Sequence, residues 1–390
     1  MAGLHDMVRV LRNAIWPLQL ELLTRRSLAV VAVWLIIVNT FALIAFNRLN
    51  LAPDTAFEWM SAGTVRPVQP SWNVIDLHNR WDAHWYLDIA QNGYYLRDEK
   101  EIANVVFFPL YPLLVRMLGP LAGGNLVLAG WILSSLFLGL AVCRLTRLTQ
   151  EFHPEIDPLL PATFLLVFPA AFFLNAVYSE SLFLFLSLST VLCALRRNFL
   201  LASVCAALAS ATRIAGVFLF VLLLVEFLQA NGWRALLTRR AWPLALAPAG
   251  ALAFFVFHWI AFGDFFLYLK AQRLYGRDFE MEAMDYAIRN NPDLVNTGYD
   301  LAFTAIAILL GIVALRRLRT SYGVYMLVSL GVALSSGTDL GVARYSMVLF
   351  PIYFIAAGIR SSVGRSAWLF GSALLLALNI ICFVNHYWAG

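Results

Sequence analysis

The chain has 390 residues, of which 61% are hydrophobic and only 13% charged, with a mean hydropathy of +0.74. A soluble domain carries about 25% charged residues, so the composition excludes a water-soluble globular protein and points to a polytopic membrane protein. The net charge is +5; its four cysteines, Cys143, Cys193, Cys205 and Cys382, lie in or beside apolar stretches without CxxC spacing, which argues against a metal ribbon or a secreted disulfide scaffold.

In chain order, residues 1–27 read as a cytoplasmic interfacial segment. Met7, Val10, Leu11 and Ile15 oppose Arg9 and Arg12 there, the pattern of a helix lying on a membrane surface. A first span follows at 28–46, with no small-residue cleavage site after it, so it is expected to be retained. Residues 47–124 form a long polar loop. A spanning helix needs roughly 20 apolar residues, and candidates follow near 125–143, 159–175, 180–195, 199–212, 214–230, 242–262, 300–315, 321–337, 344–360 and 366–388. The expectation is an all-α polytopic membrane protein of about eleven spans, forming a single integral domain over 1–390, with a second large loop at 263–299. No internal repeat of fixed period is visible.

Arginine placement orients this arrangement. Alternate loops carry Arg9, Arg12, Arg25 and Arg26; Arg144 and Arg147; Arg196 and Arg197; Arg234, Arg239 and Arg240; Arg316, Arg317 and Arg319; Arg360 and Arg365. Short loops rich in arginine face the cytoplasm, and about eleven spans put all of these on one side. The N-terminus is then cytoplasmic, and loops 47–124 and 263–299 are extracytoplasmic. Those two loops hold most of the acids: Asp54, Glu58, Asp76, Asp82, Asp88, Asp98, Glu99 and Glu101, then Asp264, Asp278, Glu280, Glu282, Asp285 and Asp293.

Within the first loop, Arg80-Trp81-Asp82-Ala83-His84-Trp85-Tyr86-Leu87-Asp88 is the most polar and aromatic stretch. Asn79 is a good N-cap, Asp82 then falls at the third helical position, and Asn92-Gly93 supplies a stop, so a short surface helix is predicted over 80–91. Trp81, Trp85 and Tyr86 suit a membrane–water interface. At about 100° per residue, Asp82 and Asp88 lie about 120° apart around that helix, so they do not act as one carboxylate pair. Asp82 reads either as a helix-capping carboxylate or as a reactive one. His84 reads as an interfacial histidine rather than a metal ligand, because a zinc site needs three or four ligands and only His78 is near.

Three further polar residues sit against apolar runs, where the membrane makes them expensive. Arg213 interrupts two runs in Ala211-Thr212-Arg213-Ile214-Ala215-Gly216, Arg344 begins a span from the outer side, and Glu180 tops another. Arg213 and Glu180 form either a structural ion pair or part of an anion site. Two arginines at one depth suit a lipid phosphate. His258, near the outer end of its span, is a candidate neighbour or a core histidine.

Four ordered blocks resemble a known family. They are Trp81-Asp82-x-x-Trp85-Tyr86-x-x-Ile89-Ala90-x-x-Gly93-Tyr94; Phe107-Phe108-Pro109-Leu110-Tyr111-Pro112; Phe168-Pro169-Ala170-Ala171-Phe172-Phe173 leading to Tyr178-Ser179-Glu180-Ser181; and Ala211-Thr212-Arg213-x-x-Gly216. Together they resemble the PIG-V family, the second mannosyltransferases of GPI-anchor synthesis and their prokaryotic relatives, within the GT-C superfamily. The resemblance implies a GT-C-like fold with interfacial helices in the first outer loop. It also implies a polyprenyl-phosphate sugar donor, usually mannose, and an inverting transfer with an acidic base in that loop. Asp82 matches the family's tryptophan–aspartate motif and is the expected catalytic base. Arg213, Arg344, Trp81, Trp85, Tyr86, Asp88, Tyr111, Glu180 and His258 are the expected substrate-binding residues. Eukaryotic members often carry asparagine where this chain has Ala215, which favours a prokaryotic member in the cell membrane.

A membrane-borne donor needs no glycine-rich phosphate loop, and arginines that neutralise the leaving phosphate make a metal or other cofactor unnecessary. The expected partners are the lipid donor, a glycolipid or glycan acceptor and membrane lipids, with no nucleic acid. The rival classes are a lipid or sugar transporter, whose ionisable residues would gather near the bilayer midplane within repeats, and a non-catalytic subunit of a glycosylation complex.

Overall fold

Two long apolar helices, one at each end of the chain, brace the bundle. In the computed structural model, which describes residues 2–49, 73–96, 104–273, 294–335 and 341–387, helix α1 runs Ala2–Leu49. The expected interfacial segment 1–27 and first span are therefore one continuous helix from Ala2 onward. Helices α2 (Ala83–Asn92) and α3 (Leu110–Leu118) belong to the first loop. Then come α4 (Leu126–Phe152), α5 (Leu160–Leu166), α6 (Glu180–Leu195), α7 (Phe199–Ser210), α8 (Leu219–Asn231) and α9 (Ala249–Phe262). The chain continues through α10 (Leu267–Gln272), α11 (Leu294–Arg317), α12 (Thr320–Ser335), α13 (Val342–Met347), α14 (Pro351–Ala357) and α15 (Ser362–Val384). No strand occurs among the described residues.

The apolar stretches expected from the sequence carry helices among the described residues, without confirming the count of about eleven spans. Among the described residues, five helices are long and apolar enough to cross a membrane: Gln19–Leu49, Leu126–Phe152, Ile214–Asn231, Gly298–Arg317 and Ser362–Val384. A sixth results if Arg239–Leu246 and Ala249–Phe262, bent by 54°, form one span. Proline breaks three of the apolar stretches, because it lacks an N–H and clashes with the preceding turn. Pro169 separates α5 from the 3-10 turn Ala171–Leu174, Pro351 separates α13 from α14, and Pro248 sits at the bend. Helices α6, α7 and α12 are 16, 12 and 16 residues long, short of the roughly 20 that cross unaided. Neighbouring helices shield α6 along nearly its whole length.

Helix α6 is the central post, packed on α4 and α7, while α1 packs on α4 and α15, and α12 on α11 and α8. Its two ends are chemically distinct. At the Arg196 end, Glu151 pairs with Arg147 at 3.0 Å and with Arg196, and Glu226 pairs with Arg319 at 2.8 Å. Arg147, Arg196 and Arg319 come from three of the arginine-bearing loops, so those loops meet at one end of the bundle. At the other end, about 24 Å away by helix rise, stands Glu180. The acids Asp54, Glu58, Asp98, Glu99, Glu101, Asp278, Glu280, Glu282, Asp285 and Asp293 lie outside the described residues.

Candidate active site

The backbone that carries Asp82 is held in an uncommon shape. Trp81 has φ +53°, a left-handed conformation that a bulky residue rarely adopts, and such conformations persist only where their surroundings over-determine them. Tyr178 does so here. Its hydroxyl donates to the Arg80 carbonyl at 3.1 Å and accepts from the Asp82 N–H at 3.1 Å, clamping both flanks of Trp81. The Val177 N–H donates to the His78 carbonyl at 3.2 Å, which docks the same segment on the turn before it. Below lies a polar chain: Asn175 joins Ser135 and Asn39, and Asn39 meets His78 at 2.6 Å. His78 is stacked between Trp131 and Phe172, and burial, with Arg80 beside it, lowers its pKa to about 3.

Helix α2 starts at Ala83, three residues later than expected, with Asp82 at the N-cap position. The Asp82 carboxylate makes no capping bond. It accepts instead from Arg344 Nη1 at 2.7 Å, across 262 positions of sequence. The capping reading is therefore corrected: the ion pair takes the carboxylate, and Asn79 caps the preceding 3-10 turn Val74–His78. Gly93, at φ +81°, stops α2 as anticipated.

Four charges line up from this point. Arg344 Nε lies 3.6 Å from Glu180 Oε1, and the same oxygen accepts a hydrogen bond from Arg213 Nη1. The order Asp82–Arg344–Glu180–Arg213 alternates in sign, as paired charges in a low-dielectric setting must. Exposure grades along it: the Glu180 side chain is 1% exposed, Arg344 11%, Arg213 12% and Asp82 29%. Asp82 is thus the member most open to a ligand. Glu180 Oε2 is buried without a hydrogen-bond partner among the described residues. Aromatic faces cover the guanidiniums: Arg344 lies 5.4 Å from the Phe173 ring and 5.6 Å from Tyr178, and Tyr345 lies 5.6 Å from Arg213 and 5.7 Å from Arg344. Such contacts hold the planar groups in place without removing their charge.

The glycine of the Ala211–Gly216 block has a steric reason. A Cβ at Gly216 would stand 2.3 Å from the Ala209 carbonyl carbon. Only glycine lets the 3-10 turn Ile214–Phe218 fold back on the end of α7 and so aim Arg213, its N-cap, at Glu180.

The other expected residues take different places. Tyr86 adjoins the cluster, its hydroxyl 2.9 Å from Ser179 Oγ; burial pushes that phenol's pKa up. Trp81, Trp85 and Tyr86 are buried in protein rather than spread at an interface, with Trp85 stacked on Phe107. Tyr111 is buried, bonded to the Gly130 carbonyl and Ser134. Asp88 stands apart: it accepts from Asn92, from the Tyr95 hydroxyl at 2.7 Å and from Asn104 at 3.0 Å, bonds that tie α2 to the following loop. His258 is buried among Phe254, Phe257, Phe262 and Tyr94, with no hydrogen-bond partner for either ring nitrogen among the described residues. Sequence reasoning missed Tyr178, Ser179 and Tyr345, although each lies within two positions of Glu180 or Arg344, which it had selected. Among the described residues, no group of three His, Cys, Asp or Glu gathers closely enough to hold a metal ion.

A family model described as mannosyltransferase (PIG-V) matches residues 26–272, a range that includes Asp82, Glu180 and Arg213 and stops before Arg344. The chain is similar to GPI alpha-1,6-mannosyltransferase 2 of Rattus norvegicus, 30% identical over 175 residues, covering 42% of this chain and 32% of that protein. It is 32% identical over 157 residues to GPI alpha-1,6-mannosyltransferase 2 of Mus musculus, covering 38% and 29% respectively. These matches span about a third of the length of the relatives.

Proposed function

Because the chain belongs to the PIG-V mannosyltransferase family, we propose that it is an inverting glycosyltransferase that moves mannose from a polyprenyl-phosphate donor to a hydroxyl of a glycolipid or glycan. The observation that carries the proposal is the partly exposed Asp82 carboxylate, ion-paired to Arg344 beside the Glu180–Arg213 pair. One end of the cluster offers a base, and the rest offers a cationic seat for a phosphate. The arginines are held by aromatic faces and by a buried acid.

In this scheme the donor phosphate exchanges with Asp82 at Arg344, and Arg213 adds a second cationic contact. The exchange leaves Asp82 free, so the base is released only once the donor is seated. The acceptor oxygen attacks the anomeric carbon from the face opposite the phosphate. The new C–O bond forms as the sugar–phosphate bond breaks, the acceptor proton passes to Asp82, and the departing electron pair stays on a phosphate oxygen stabilised by the arginines. Tyr178 and the left-handed Trp81 serve as positioning residues, since they fix the backbone from which Asp82 projects.

The proposal extends to topology. With the arginine-bearing ends on the cytoplasmic side, the Asp82 cluster faces away from the cytoplasm, and 47–124 and 263–299 are the outer loops of one integral domain. Ala215, in place of the asparagine frequent in eukaryotic members, favours the cell membrane of a prokaryote. The test of the chemistry is incubation of purified protein with radiolabelled polyprenyl-phosphate mannose and a glycolipid acceptor. Transfer is expected, falling about 10²–10⁴-fold in Asp82→Asn. Normal transfer by Asp82→Asn alongside its abolition by Asp88→Asn would reassign the base, and a wild type showing neither transfer nor donor hydrolysis would sink the enzyme reading.

A further inference from the structure

At the end of α6 away from Asp82, the α6–α7 turn, the end of α8 and the segment 239–246 border an open cavity of about 410 Å³, lined by Arg197, Phe199, Phe227, Ala230, Asn231 and Arg240. We propose that this cavity binds the phosphodiester headgroup of an anionic phospholipid. It is a site separate from the Asp82 cluster and independent of the reaction assigned there.

Charge is the first reason. Glu226 precedes Phe227 of the lining, and its carboxylate is already satisfied by Arg319 at 2.8 and 2.9 Å and by Ser321 at 2.6 Å. Arg197 reaches only the Glu226 backbone carbonyl, at 3.4 Å, and Arg240 forms no ion pair among the described residues. Two guanidiniums therefore face one cavity without a counter-charge among the described residues. Arginine's planar fork matches phosphate oxygens in pairs.

Local backbone geometry is the second. Arg197 adopts φ +63° at the end of α6, donating its N–H to the Ala194 carbonyl while Asn198 donates to the Cys193 carbonyl. This bonding pattern closes a helix and usually places glycine at the left-handed position. Here an arginine occupies it and points along the cavity toward the end of α8.

The surroundings distinguish a lipid from a free anion. Phe199 and Phe227 pack edge to face at 5.2 Å beneath the arginines. On the segment that supplies Arg240, Trp233 is 67% exposed, Trp242 75% and Leu237 84%. Exposed tryptophan and leucine interleaved with Arg234, Arg239 and Arg240 is the composition of a segment lying at the headgroup level of a bilayer. A soluble phosphate needs no such apolar collar, whereas acyl chains do.

The test is native mass spectrometry of the full chain in detergent, titrated with phosphatidylglycerol, phosphatidylcholine and inorganic phosphate. Wild-type protein is expected to retain phosphatidylglycerol about tenfold more tightly than phosphatidylcholine. Arg240→Ala and the double variant Arg197→Ala/Arg240→Ala should lose that preference, and Arg240→Lys should keep part of it. Arg360→Ala, at an equally exposed arginine in another loop, should leave it intact. Equal retention of the two lipids, persistence in the double variant, or an equal loss in Arg360→Ala would overturn the site. Displacement of the lipid by inorganic phosphate at matching concentration would overturn its lipid character. The unfolding temperature of each variant, measured in the same detergent, identifies any loss due to misfolding, in which case Arg240→Lys decides.

Discussion

Tyr178 shows how much the candidate site depends on a residue that carries no charge. Its single hydroxyl spans the two peptide groups flanking Trp81, and it is buried at 1% exposure. Removing it in Tyr178→Phe leaves the Arg80 carbonyl and Asp82 N–H without that partner, at a cost of about 1–3 kcal/mol. If Asp82 is the base and the arginines seat the phosphate, as proposed, the expected outcome is a protein that still folds, with kcat for mannose transfer lowered about tenfold or more and KM for the donor little changed. Parallel steady-state kinetics on Tyr178→Phe and Asp82→Asn check this; a rise in KM alone would assign Tyr178 to binding instead. Asp88 makes the contrasting case. Asn104, Tyr95 and Asn92 all donate to it, so Asp88→Asn is expected to loosen the loop after α2 rather than remove a reactive group.

At the scale of elements, close helix contact sets where the arginines stand. Gly216 abuts the carbonyl carbon of Ala209, 2.3 Å from where a Cβ would lie. The clash is with backbone, which cannot swing aside as a side chain does. Gly216→Ala is therefore expected to push the 214–218 turn off α7, costing about 1–3 kcal/mol from overpacking and displacing Arg213 from Glu180. Thermal unfolding of the purified variant reads the first effect and the donor KM reads the second; an unchanged KM would mean that Arg213 does not depend on this turn. Short helices matter for the same reason. The broken stretches at Pro169 and Pro351 place the 3-10 turn Ala171–Leu174 and helix α13 beside one another, and these supply Phe173 and Arg344.

The whole molecule has a chemically polarised bundle, with acid–arginine chemistry at the Glu180 end and arginine-rich loops at the Arg196 end. Accessibility labelling in a cysteine-free background tests its orientation. Leu237→Cys is expected to react with an impermeant reagent from the cytoplasmic side and Leu96→Cys from the other; the same side for both would overturn the topology. Buried histidines also couple stability to pH. Burial, with Arg80 nearby, lowers the pKa of both His78 and His386 from 6.5 to about 3. Between those values the unfolded chain binds protons that the folded chain does not, so stability falls as pH drops below 6.5. The unfolding temperature is expected to decline from about pH 7.5 to about pH 5, with a shallower slope in His78→Asn/His386→Asn; an unchanged slope would remove these histidines as the cause.

Hydropathy, arginine spacing and the aromatic motif made the helical membrane character, the loop carrying Asp82 and the Gly93 stop legible from sequence, because each depends on neighbours a few residues away. The same local signals do not fix an exact span count, since how far Pro169, Pro248 or Pro351 breaks an apolar run is decided in space. Helical geometry placed Asp82 and Asp88 on different faces but not what each would meet. Capping and reactivity are both open to Asp82 in the sequence, and the ion pair with Arg344, 262 residues away, removes the first; of the two places open to His258, the fold gives it a separate aromatic pocket. The sequence alone thus determined which residue types sit in a membrane and which of them are costly there. Only the tertiary structure decided which charges neutralise one another, because a buried ion pair is made by helices far apart in the chain and is stable only where packing holds both partners out of water.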